Sequence, residues 1–266
     1  MIKLLAMDID GTILPSKFII TDRIKNTIQK VIEKGVKVVL VTGRMHKSST
    51  FIAEELGIST PIISYGGALV QDNKEILFSK NIPNSKIKEI LDSIKDFNSQ
   101  INIYIDDEIY SECKTPVLVD YCEKRNIKFK ISPLDDLPKK DATKLLAIGK
   151  NEKETDQIVK KLQQNWEDEL CIVKSLPTFC EIINKNASKG DAIMYLANKW
   201  DIKQNEIMAI GDQDNDIKML EVAKIKVAMG NASEGLKKIA TYIAPDVEED
   251  GAAIAIEKFI LGEKND

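Results

Sequence analysis

The sequence predicts an α/β protein: a Rossmann-like, doubly wound parallel sheet as core, interrupted by an inserted α+β cap domain. Three observations carry this expectation. Apolar runs alternate with amphipathic stretches through about the first 80 residues. From Pro83 to Asn184 the texture changes to short strands and charged helices, and after Asn184 the alternation resumes. Strands joined through helices by short loops imply right-handed crossovers, and so a parallel sheet.

Each element has its own signal. The run Ile2-Lys3-Leu4-Leu5-Ala6-Met7 reads as a first strand and ends in Asp8-Ile9-Asp10-Gly11-Thr12. Thr21-Asp22 opens a helix with Ile24, Ile28, Val31 and Ile32 on one face, and Gly35 stands where a C′ residue belongs. The β-branched run 36–41 is a second strand, ending in Thr42-Gly43-Arg44. A helix over 48–56 stops at Gly57, and a strand over 61–65 ends at Gly66-Gly67. Within the insertion, 101–105 and 144–148 read as strands and 152–166 as a helix. The core then resumes with Lys189-Gly190 ahead of a helix over 191–199, and a strand over 206–210 ending in Gly211-Asp212-Gln213-Asp214-Asn215-Asp216. A strand over 225–229, a helix opened by Ser233 and Glu234, and a last helix over 252–260 complete the pattern. The expected organisation is a discontinuous core, 1–82 and 185–266, around a cap at 83–184.

Composition narrows the function. With 43% hydrophobic and 30% charged residues, the chain has an ordinary globular balance. A net charge of −4 argues against nucleic-acid or anionic-membrane binding driven by bulk charge. No apolar stretch approaches the roughly 20 residues of a membrane span, and no signal-peptide pattern stands at the N-terminus; the expected location is cytoplasmic. The four cysteines lack C-x-x-C spacing, so reduced structural thiols are expected. His46 is the only histidine, and no G-x-S-x-G elbow is present. The chemistry is therefore expected to run on carboxylates.

Asp8 and Asp10, spaced i, i+2, project to one side of an extended backbone at the carboxyl end of the first strand, where open α/β sheets bind ligands. Paired acids there can hold magnesium, attack an electrophile, or do both. Thr42-Gly43 follows the second strand, the Asp212–Asp216 loop follows a late one, and Lys189 starts a helix after the insertion. Acids for a hard cation thus share a sheet edge with hydroxyl, amide and ammonium donors for phosphate oxygens, a set suited to phosphoryl transfer.

Four segments in order, Asp8-x-Asp10-Gly11-Thr12, Thr42-Gly43-Arg44, Asn186-Ala187-Ser188-Lys189-Gly190 and Gly211-Asp212-Gln213-x-Asn215-Asp216, resemble the motifs of the haloacid dehalogenase superfamily. The insertion between the second and third is similar to that of its Cof-type sugar-phosphatase branch, as is Leu176-Pro177-Thr178-Phe179-Cys180-Glu181-Ile182. The resemblance implies a magnesium-dependent phosphatase for small phosphorylated metabolites, with sugar phosphates foremost. It implies Asp8 as the nucleophile that becomes an aspartyl-phosphate, and Asp10 as acid and then base. Magnesium would be held by the Asp8 carboxylate, the Asp10 carbonyl and the Asp212 carboxylate. Ile9, Thr42, Gly43, Lys189 and Asn215 would cradle the phosphoryl oxygens. Asp216 would act from outside the metal's ligands, orienting Lys189 or a metal-bound water.

Arg44, His46 and Glu181 are candidate substrate contacts, and Asp214 reads as a solvated turn residue. Gly66 stands where the family often has Asn. The cap would exclude water and select the leaving group. Two alternatives remain open at this stage: a sugar phosphomutase, and a non-catalytic phospho-aspartate signalling protein. A monomer or a homodimer is expected.

Overall fold

The computed structural model describes residues 1–15, 19–97, 99–124 and 127–263. Along the chain come β1 (Leu4–Met7), α1 (Asp22–Glu33), β2 (Lys37–Leu40), α2 (Lys47–Glu55), β3 (Ile62–Ser64), β4 (Leu69–Asp72) and β5 (Glu75–Ser79). There follow α3 (Asn84–Ser93), β6 (Gln100–Ile105), β7 (Glu108–Ser111), α4 (Pro116–Glu123), β8 (Phe129–Ile131), β9 (Lys144–Ile148), α5 (Glu152–Trp166), β10 (Leu170–Leu176) and β11 (Phe179–Asn184). The last stretch holds α6 (Lys189–Lys199), β12 (Ile207–Gly211), α7 (Ile217–Glu221), β13 (Ile225–Ala228), α8 (Glu234–Ile239), β14 (Tyr242–Ile243) and α9 (Gly251–Ile256).

The chain forms two compact units, Met1–Phe78 with Ser188–Asp266, and Ser79–Ala187. In the first, five strands pair in the order β14-β13-β12-β1-β2, every pairing parallel. A parallel bridge from Val41 to Ile63 carries the arrangement on to β3. Every residue of β1 and β12 is buried, because helices cover both faces of a parallel sheet. α1 turns Ile24, Thr27, Ile28 and Val31 inward, with the Thr21 hydroxyl accepting from the Ile24 N–H as its cap. β1 and β12 lie side by side in register, Met7 opposite Ile210. That pairing sets the loop after β1 beside the loop after β12, although 200 residues separate Thr12 from Asp212.

Three elements differ from the sequence expectation. β3, β4 and β5 form a small antiparallel sheet where the periodicity showed only one strand; β4 and β5 turn at Asn73, whose φ is +52°. α6 begins at Lys189 rather than Asp191, because the Ser188 hydroxyl accepts from the Asp191 N–H and caps the helix two residues earlier. α9 ends at Ile256, and a single π turn carries the chain over Glu257–Leu261.

The second unit is built on a six-stranded sheet in the order β10-β11-β9-β6-β7-β8. Its own core gathers Ile103, Ile105, Leu145, Ala147 and Ile182 beneath Ile158 and Leu162 of α5. Among the described residues no helix is long and apolar enough to cross a membrane.

Candidate active site

The loop after β1 turns at once. Ile9 accepts from the N–H groups of Ile13 and Leu14, and Gly11 adopts φ +78°. This tight turn leaves the two acids in different surroundings. Asp8 is buried, with 6% of its surface exposed, while the Asp10 side chain is 52% exposed. The strand ends at Met7, so Asp10 lies beyond it in the turn and is the more exposed of the two.

Asp8 joins a buried cluster. The Lys189 ammonium, at the first position of α6, donates to Asp8 Oδ1 at 2.6 Å and to Asp216 Oδ1 at 2.5 Å. The other oxygen of Asp216 accepts from the N–H groups of Asp212 and Gln213, at 3.0 and 3.2 Å. Both Asp216 oxygens are thereby engaged by the protein. Asp212 accepts from the Gln213 amide at 2.9 Å and from the Thr12 hydroxyl at 3.4 Å, and its carbonyl accepts from the Ser233 N–H. Asp8, Asp212 and Asp216 each bring a carboxylate oxygen within 4.8 Å of the others.

The charges do not balance. Three buried carboxylates face one buried ammonium. Burial pushes Asp8 well above the ordinary carboxylate value, the charges of Asp216 and Asp212 add to the rise, and Lys189 opposes it. Asp212 is pushed up to about 6, chiefly by burial, with the Gln213 hydrogen bond working the other way. Burial also works against the Lys189 ammonium, but Asp216 and Asp8 outweigh it and hold its pKa above the usual lysine value. A cluster with surplus negative charge takes up a proton or a cation. Oxygen donors within 4.8 Å of one another fit a hard divalent ion.

Thr42 is buried just beyond β2; its N–H donates to the Ile63 carbonyl, and its hydroxyl accepts from the Arg44 N–H at 3.1 Å. A side chain on Gly43 would enter open space. Ile9 is fully buried beside Asp8, and Asn215 is exposed in the loop after β12. The Arg44 guanidinium holds Asp10 by both carboxylate oxygens. His46 is buried at the start of α2. Glu181 lies in β11 of the second unit, paired with Lys144 at 3.0 Å and accepting from the Ser175 hydroxyl at 2.8 Å. Asp214 is exposed and accepts from the Ser233 hydroxyl, so it braces the residue that caps α8 as well as meeting solvent.

Sequence reasoning passed over three residues that shape the cluster. Thr12 and Gln213 both donate to Asp212, and the Asn231 amide fastens the Gly11 carbonyl at 2.8 Å. Thr12 and Gln213 lie within the first and fourth motifs. Asn231 carried no local signal.

The pattern for haloacid dehalogenase-like hydrolases matches residues 5–256, nearly the whole chain. The chain belongs to this family. Among its relatives, a Streptococcus pyogenes protein provisionally named a phosphatase is 32% identical, over 98% of this chain and 99% of that one. The Bacillus subtilis 5-amino-6-(5-phospho-D-ribitylamino)uracil phosphatase YcsE is 30% identical, over 98% of this chain and 96% of its own. A crystal structure of a haloacid dehalogenase-like hydrolase from Bacteroides thetaiotaomicron superposes with a TM-score of 0.89 at 27% identity, covering 98% of this chain and 100% of that one. The cluster around Lys189 thus lies in a phosphatase of the haloacid dehalogenase superfamily, with the parallel α/β core expected of it.

Proposed function

We propose that this phosphatase hydrolyses monoesters of small phosphorylated metabolites, sugar phosphates foremost, by way of an aspartyl-phosphate on Asp8. The observation that carries the reading is the buried excess of negative charge at Asp8, Asp212 and Asp216 around the single Lys189 ammonium. Such a site suits a cation and a phosphate bound together.

Magnesium, held by the Asp8 and Asp212 carboxylates and the Asp10 carbonyl, would supply the positive charge that lets an anionic nucleophile approach an anionic ester. Asp8 attacks phosphorus, the ester P–O bond breaks, and the leaving oxygen takes a proton from Asp10. A water then attacks the same phosphorus, gives its proton to Asp10, and the acyl phosphate breaks to release inorganic phosphate and restore Asp8. Lys189, Thr42 and the N–H groups of Ile9 and Gly43 hold the phosphoryl oxygens, with the Asn215 amide completing the cradle. Asp216 keeps Lys189 in place, a role its two engaged oxygens support.

The inserted unit carries substrate selection in this reading. The name of the Bacillus subtilis relative describes a phosphate ester on a ribityl chain, which supports a small polyhydroxylated leaving group. The test is phosphate release from hexose phosphates, pentose phosphates, nucleotides and an aryl phosphate, with and without magnesium. Asp8→Asn should abolish release while the fold stays intact. Turnover retained in Asp8→Asn would remove the nucleophile from the proposal, and conversion to an isomeric sugar phosphate would make the enzyme a mutase.

A further inference from the structure

The first turn of α6 has backbone on both sides at distances that only glycine allows. On one side lies Gly67, with φ +100°. A Cβ there would overlap the Ser188 carbonyl and stand 2.7 Å from the Lys189 nitrogen. On the other side Gly190 faces α7, and a Cβ on it would overlap the Lys218 carbonyl oxygen and lie 3.0 Å from its carbon. Both contacts are with backbone, so no flexible side chain can swing away to make room.

Each contact also leads back to the site. The turn that contains Gly67 is tied to the loop after β2: the Gly66 N–H donates to the Thr42 carbonyl, and the Tyr65 N–H to the Arg44 carbonyl, both at 2.9 Å. Lys218 belongs to α7, which begins directly after Asp216. The peptide that launches the Lys189 side chain is therefore held between the segment bearing Thr42 and the segment bearing Asp216. Lysine has a long stem with many rotamers. Held between Asp8 and Asp216 it keeps one of them, and a shift of its Cα strains both hydrogen bonds.

We propose that Gly67 and Gly190 are positioning residues for Lys189, two side-chain-free seats that fix its ammonium against Asp8 and Asp216 in register with Thr42. The proposal rests on the reading of Lys189 as a phosphoryl ligand. Neither glycine touches reacting atoms. An added methyl must move the start of α6 by about an ångström, and misplacement on that scale costs on the order of a hundredfold in rate in an enzyme site.

The test compares the intact enzyme with Gly67→Ala, Gly190→Ala, Lys189→Ala and the two double variants. Inorganic phosphate binding is read by calorimetry with magnesium present, alongside turnover of an aryl phosphate and thermal melting. Gly67→Ala adds a left-handed strain and can lose the fold. Gly190→Ala is the second probe: it adds no left-handed strain and alanine favours helix, so its cost is confined to the contact with the Lys218 carbonyl. The expected result is phosphate affinity roughly tenfold weaker in Gly190→Ala, with less than about a twofold further change when it is added to Lys189→Ala. An equal loss in both backgrounds would mean general damage and overturn the proposal, as would unchanged affinity in Gly190→Ala. Unchanged affinity in Lys189→Ala alone would instead overturn the underlying phosphate-site reading, and the positioning role with it.

Discussion

Arg44 grips Asp10 with one edge of its guanidinium, its Nε donating to one carboxylate oxygen at 2.7 Å and its Nη2 to the other. The pair fixes the plane of a carboxylate that is otherwise half exposed. If Asp10 delivers the proton to the leaving oxygen, one of the two hydrogen bonds must open so that an oxygen can carry it. The orientation of Asp10 then matters most when the alcohol is a poor leaving group. Arg44→Ala should lower kcat about tenfold on an alkyl phosphate and only a few-fold on an activated aryl phosphate, within the range general acids contribute. Arg44→Lys should recover part of the loss, because an ammonium keeps the charge but not the fork. Equal losses on both esters would show that Arg44 acts on something other than the proton donor.

Gly11 offers a second lever, this time on the cation-binding acids. Its φ is +78°, and a Cβ on it would overlap Asp212 Oδ2 and stand 2.9 Å from Asp212 Cγ. Gly11→Ala therefore combines a strained backbone, about 1–3 kcal/mol, with displacement of the Asp212 carboxylate. The expected outcome is magnesium affinity at least tenfold weaker, together with a lower melting temperature. Magnesium titration by calorimetry measures the first and thermal melting the second. A variant that melts earlier yet binds magnesium normally would place Asp212 outside the ligand set.

The raised pKa of Asp212 sets a pH dependence for the metal-free enzyme. Its carboxyl moves from an ordinary 3.8 to about 6, chiefly through burial. Between those values the folded chain holds a proton that the unfolded chain has released. Stability from this group is thus fully present below about 3.8 and is lost as pH rises towards 6, by up to about 3 kcal/mol. Asp8 is raised too and acts in the same direction. Without metal, Asp212→Asn should therefore match the native chain near pH 4 and exceed it in stability above about pH 6. Magnesium should restore the native enzyme's stability only where Asp212 is ionised. Melting curves across that pH range, with chelator and with magnesium, decide the matter; an Asp212→Asn advantage independent of pH would remove the titration argument.

The sequence disclosed the core through strand-helix alternation, and the site through acids and a lysine at strand ends. β1 and β12 pair in register, so motifs at either end of the chain meet by topology alone. What stayed hidden depends on distance in three dimensions. The Arg44 grip on Asp10, the Asn231 amide on the Gly11 carbonyl and the glycine seats around α6 each join residues whose local sequence gives no hint of the partner. The hairpin of β4 and β5 was missed for another reason: its apolar runs are short, and only the turn at Asp72-Asn73 marks it. The difference in exposure between Asp8 and Asp10 comes from the turn that starts after Met7, which an i, i+2 spacing does not reveal.

Glu181 shows how a residue's neighbours redirect its reading. It lies on β11 across from Leu146, and its carboxylate meets Lys144, whose side chain is 4% exposed. The same ammonium stands 5.3 Å from the centre of the Tyr104 ring, and the Ser175 hydroxyl donates to the other Glu181 oxygen. A buried ammonium stripped of its carboxylate is left with a large desolvation cost. Glu181→Ala should therefore destabilise the protein by about 2 kcal/mol, the partial exposure of the acid keeping the loss below that of a fully buried pair. Lys144→Met with Glu181→Leu should recover much of that stability, since apolar replacements of similar volume remove both charges together. A substrate contact would behave differently. If Glu181→Ala raised KM for sugar phosphates while leaving the melting temperature and aryl phosphate turnover unchanged, Glu181 would belong with the groups that recognise the leaving alcohol, and Lys144 would be the residue that aims it.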